Sequence, residues 1–136
     1  MTTKAAVRDR GDGFQIVEPT LVSTVSQLTV TAFATQSPSP TAVQLQGVII
    51  NHASVTGAGV FTLDTAANLD ALLPAPVTND TFVCYYNNTG TQTVTITTNT
   101  GLTLKGTAAV PTLRNAILLF VKTGAAAWTV NIFLGG

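Results

Sequence analysis

The chain has 136 residues, 46% of them hydrophobic and only 9% charged, with six bases balancing six acids. It is long enough for one domain with an ordinary core, too apolar for general disorder, and lacks the basic excess of a nucleic-acid footprint. A soluble monomer's surface usually carries about 25–35% charged residues, so this chain is expected to hide much of its surface between copies or against a partner.

No apolar run approaches the roughly 18 residues of a membrane span. The segment Met1 to Arg10 has no apolar stretch ahead of its charges and does not read as a secretory signal, so synthesis and folding in a host cytoplasm are expected. The single cysteine, Cys84, excludes an internal disulfide framework and a multi-cysteine metal site. Without secretion, the glycosylation-like triplets at Asn79 and Asn87 carry little weight. Threonine supplies the polarity: 25 residues, against five serines. It is β-branched and suits a pleated, half-exposed face, so strands are favoured throughout.

In chain order, residues 1–20 read as an extended arm. Half of the formal charges lie in the first 18 residues, interrupted by Gly11 and Gly13 and closed by Pro19. Phe14, Ile16 and Val17 favour docking of this arm on a neighbour, with Arg8 and Arg10 as charged anchors. A single domain is predicted over 21–136. Leu28-Thr-Val30-Thr-Ala32 alternates as a strand with one buried face. Pro38 and Pro40 make a loop. Val43-Gln-Leu45-Gln alternates again and runs into Val48-Ile49-Ile50; Asn51 to Gly59 has turn chemistry, and Val60 to Leu63 forms a short strand.

One helix is predicted, capped by Asp64 or Thr65 and ended by Pro74 and Pro76. Leu69, Leu72 and Leu73 share a face at i, i+3, i+4, so packing must hold this short helix. The remaining strands read as a meander: Thr81–Tyr86, Thr91–Thr97, Leu102–Leu104, Asn115–Val121 and Trp128–Phe133. The fold expected is all-β, an antiparallel β-sandwich or jelly-roll-like barrel with one short helix.

Catalytic constellations are poor. His52 reads as a surface-loop imidazole rather than a general base, and Cys84, with no basic neighbour in sequence, as an inert buried thiol. Asp64, Asp70 and Asp80 read as a helix cap, an exposed helix position and a turn residue. Neither a calcium loop nor a phosphate-cradling glycine loop is present. Arg10-Gly11-Asp12 spells the integrin-binding tripeptide, a match short enough to arise by chance. The row Thr91, Thr93, Thr95, Thr97 suggests an ice-binding array, but one row without stacked neighbours is better explained as a solvated face. No enzyme activity, cofactor or metal is expected.

The ordered series Phe61-Thr-Leu-Asp-Thr-Ala-Ala-Asn-Leu-Asp-Ala-Leu-Leu-Pro74, Asn79-Asp80-Thr81-Phe82, Asn88-Thr-Gly90, Val94-Thr-Ile96-Thr and Gly101-Leu-Thr-Leu-Lys-Gly106 resembles a module of virion-surface proteins. That module occurs in phage capsid decoration proteins, head or tail fibres, and minor capsid or cement proteins of large DNA viruses. The resemblance covers roughly residues 60–136. It implies a compact β-domain on the particle surface, a homotrimer, and an amino-terminal segment attaching it to the major capsid protein or other virion subunits. It carries over no catalytic residue; Leu69, Leu72 and Leu73 fall on its helical segment. The alternative it leaves open is a receptor- or glycan-binding knob of a fibre, with Tyr85, Tyr86 or Trp128 as stacking platforms. Neither nucleic acid nor membrane is an expected partner.

Overall fold

The computed structural model describes residues 8–9, 15–16, 29–46, 49–53 and 56–135. Its elements are β1 (Arg8–Asp9), β2 (Gln15–Ile16), β3 (Val30–Phe33), α1 (Ala42–Leu45), β4 (Ile49–His52), β5 (Gly59–Thr62), α2 (Ala66–Leu72), β6 (Thr81–Asn88), β7 (Val94–Thr97), β8 (Leu102–Gly106), β9 (Ala109–Val110), β10 (Asn115–Gly124) and β11 (Ala127–Leu134).

The chain is β-rich, with mixed sheets. A six-stranded sheet has the order β3-β4-β6-β10-β11-β8, and a three-stranded sheet the order β5-β7-β9. Within these two sheets the expected antiparallel arrangement holds for β6-β10-β11 and β7-β9, and β1 and β2 form a separate antiparallel pair. The pairs β3-β4, β4-β6, β11-β8 and β5-β7 are parallel. Parallel neighbours cannot be joined by tight hairpins. Their connections therefore carry α1, between β3 and β4, and β5 with α2, between β4 and β6.

The predicted meander is corrected in the same way. Alternation at Val94 and Ile96 says which side of β7 meets the core, not which sheet it joins, and β7 joins the smaller one. The turn after β6 is occupied by a staple instead of a hairpin. Asn88 is buried; its Nδ2 donates to the carbonyls of Gln92 (2.7 Å) and Val110 (2.9 Å), and its Oδ1 accepts from the Gly90 amide. This one side chain ties the large sheet to β9 of the small one.

The described residues hold two helices, not one. Val43-Gln-Leu45, expected as a strand, is α1. Thr41 accepts from the Gln44 amide while the Gln44 side chain accepts from the Thr41 amide, a capping box that overrides a four-residue alternation. In α2 the N-cap is Thr65, and Asp64 accepts instead from the Thr65 amide, the Asn68 side chain and, across to α1, the Ala42 amide. Asp64 thus joins the starts of both helices.

One cluster of buried side chains draws on both sheets and both helices. Phe61, Val94, Ile96 and Val110 come from the small sheet; Ile50, Tyr86, Leu118, Phe120, Trp128 and Val130 come from the large one. Leu69 of α2 is fully enclosed, and Leu72 and Leu73 pack half-buried against the same cluster.

Candidate functional site

Strand β10 has apolar residues on both faces. Ala116, Leu118 and Phe120 point into the core; Ile117, Leu119 and Val121 point the other way. Continuous apolar runs of this kind belong to strands covered on both sides. Here the described residues cover one side only: Ile117 is 41% exposed, while Leu118 is fully buried.

Pairing register extends this outward face across the sheet. Val30 lies opposite Ile49, Ile49 opposite Tyr85, Tyr85 opposite Ile117, and Ile117 opposite Phe133. The result is an apolar stripe perpendicular to five strands, with Val30, Tyr85 and Phe133 each at least 44% exposed. The next row contains Val83, Leu119, Asn131 and Lys105. A neutral polar row, Asn51, Asn87 and Asn115, flanks them on one side; on the other, Thr81, Thr129 and Thr103 share a row with Val121. Asn87 donates to Asn51 at 2.9 Å within its row. Lys105 is the one charged side chain in these rows. An apolar centre with a polar rim, nearly free of charge, is the anatomy of a protein–protein interface.

No protein-family model, curated protein or solved structure matches this chain. The geometry of the chain's own residues is therefore what bears on function.

The titratable groups serve the interior. His52, expected on a surface loop, ends β4 and is fully buried. Its Nε2 donates to the Thr35 carbonyl at 2.8 Å, which in the neutral ring leaves Nδ1 to accept the Tyr86 hydroxyl proton at 2.7 Å. Burial pushes the Tyr86 phenol far above its ordinary range. It also pushes the Cys84 thiol up to about 12, so this buried cysteine stays protonated.

Asp70, expected as an exposed helix position, is a hub. Its carboxylate accepts from Lys122 Nζ and Trp128 Nε1, both at 2.7 Å, and from the Ala126 amide at 2.8 Å. Lys122 is itself buried, lies 5.5 Å from the Trp128 ring centre and also donates to the Gly124 carbonyl. Burial alone would raise Asp70; the hydrogen bonds from Lys122, Trp128 and Ala126, with the Lys122 charge, outweigh it and hold the carboxyl below its ordinary value. Among the described residues no three or more His, Cys, Asp and Glu side chains converge as a metal site.

Of the aromatics named as stacking platforms, Tyr86 and Trp128 are enclosed in the core and only Tyr85 reaches the surface. The arm residues Arg8 and Ile16 are register partners in the β1-β2 pair; Arg10 and Phe14 lie outside the described residues. The apolar stripe was missed in sequence because its members come from five separate strands. Its one local signal was the unbroken run Ala116 to Val121.

Proposed function

We propose that this chain is a structural protein of a virus particle: a capsid decoration or minor capsid (cement) protein that self-associates and docks on the shell to stabilise it. The outward apolar face of β10 and its neighbours carries the reading. A central strand apolar on both sides, in a chain with 9% charged residues, requires a second cover, and association supplies it. The finer description of the fold as a β-sandwich belongs to the same proposal and is supported by the one core shared between the two sheets. The virion setting rests on the resemblance of residues 60–136.

The test is co-sedimentation of the purified chain with capsids of the virus that encodes it. It should band with the shells at a fixed copy number commensurate with their symmetry. The amino-terminal arm, including Arg8, Arg10, Phe14 and Ile16, should become protease-resistant only on the shell. A chain that never bands with the shells sinks the reading.

A further inference from the structure

The proposed association leaves open what covers the outer face of the six-stranded sheet, and we infer that it is the same face of a second copy, related by a two-fold axis. This rests on the reading of that face as an association surface and names its occupant. Charge is the first reason. Lys105 stands alone at one border of the face, so like can meet like without repulsion, and an oppositely charged partner would find nothing to recognise. Pattern is the second. The Ile117 stripe and the neighbouring Val83 and Leu119 lie in the middle of the face, with the Asn row beyond them on one side and three threonines around Val121 on the other. A half-turn about an axis along the strands therefore lays the apolar stripe on its own copy and the polar borders on theirs.

Size is the third. The four register rows hold 16 outward positions, and at about 4.8 Å between strands and about 6.8 Å along them these occupy roughly 500 Å2. Two such faces cover about 1,000 Å2 in plan, and more in accessible surface, which meets the lower bound of a specific interface. A closed ring of three through this face would need a second, different apolar patch of equal extent to receive it. Among the described residues, the other large exposed apolar side chains are Val43 of α1, Val60 of β5, Leu134 on the opposite face of β11, and Val77 and Leu113 in two different loops. The contact is therefore a pairing of two copies, not the three-fold one that the resemblance implies.

Sedimentation equilibrium of the full chain at micromolar concentration should return twice the 14.0 kDa chain mass. That mass should not fall between 0.05 and 1 M salt, because apolar contacts are not screened. Ile117→Lys should weaken association at least 100-fold while far-UV circular dichroism and the cooperative thermal transition persist. Because any charged variant could act through folding, a second measurement is direct. Ile117→Cys lies near the centre of the stripe and should be captured as a covalent dimer by a short bis-maleimide spanning the ~10 Å between packed sheets. Thr95→Cys, exposed on the small sheet, should not.

Two results overturn the inference. A monomer in which the residue-117 thiol is shielded from maleimide means that the chain covers its own face. A monomer in which that thiol reacts freely means that the face waits for a different protein. Neither result touches shell binding, which co-sedimentation reads separately.

Discussion

The rings of Phe61 and Tyr86 meet with centroids 4.8 Å apart at 59°, and they come from different sheets: Phe61 from β5, Tyr86 from β6. His52 lies against both rings, and Phe33 closes edge-on over Phe61. This aromatic group joins the two sheets near one end, as the stacked rings of Phe82 and Phe120, 4.4 Å apart, fill the large sheet's inner face elsewhere. Both Phe61 and Tyr86 are fully buried. Phe61→Ala should therefore remove a fully enclosed ring and leave a void, costing about 3–5 kcal/mol. Urea denaturation followed by circular dichroism reads this directly; a loss below about 1 kcal/mol would mean that the two sheets are not joined here.

The hydrogen bond beneath those rings makes a sharper case. Tyr86→Phe keeps the ring packing and strips His52 Nδ1 of its donor, which costs about 1–3 kcal/mol in a site closed to water. His52→Phe strips the Tyr86 hydroxyl and the Thr35 carbonyl together and should cost more. The double variant should cost less than the sum by about 0.5–3 kcal/mol, since it removes both partners of the shared bond. Strict additivity in the urea cycle would show that the ring nitrogen and the hydroxyl do not interact.

These two residues also show what could and could not be read from the chain. Period-two alternation set Val94 and Ile96 opposite the threonine row, and both are buried, because strand geometry itself sends alternate residues to one face. The same alternation is silent on which strands pair. The parallel pairs and the second sheet were invisible for that reason, and His52 was assigned to a loop although it ends a strand beside β6. Thr41 to Gln44 held a legible capping signal that four alternating residues obscured. Asp70 illustrates a different limit. Its partners lie 52 and 58 residues away, and no local pattern announces a contact of that span.

Cys84 gives a probe that needs no substitution. It is fully buried between Val83 and Tyr85 on the inward face of β6, and burial pushes its thiol up to about 12. Only the thiolate reacts with disulfide and maleimide reagents, so labelling at pH 8 should require opening of the core. Its rate should rise with urea in parallel with global unfolding and reach that of a free thiol only past the transition. Labelling at the rate of a free thiol in native buffer would place the cysteine in a mobile part of the chain, against the burial seen here.

The Asp70 hub should set the acid limit of stability. Its folded carboxyl is held below the ordinary value of 3.8, so the folded state favours the ionised form. The stabilisation is then fully present above the unfolded value and is lost as pH falls through the lower folded one. Asp70→Asn leaves Lys122 buried with no opposing charge, a situation that costs about 3 kcal/mol in well-enclosed pairs. Asp70 keeps 23% of its side-chain exposure, so solvent screening should bring the loss toward the lower side of that figure. Adding Lys122→Met should recover most of it, by removing the stranded ammonium while keeping the stem against Trp128. In thermal melts the gap between the native chain and Asp70→Asn should be widest at neutral pH and should close below about pH 4. A gap that persists undiminished to pH 2 would mean that packing, not the carboxylate's charge, accounts for the loss.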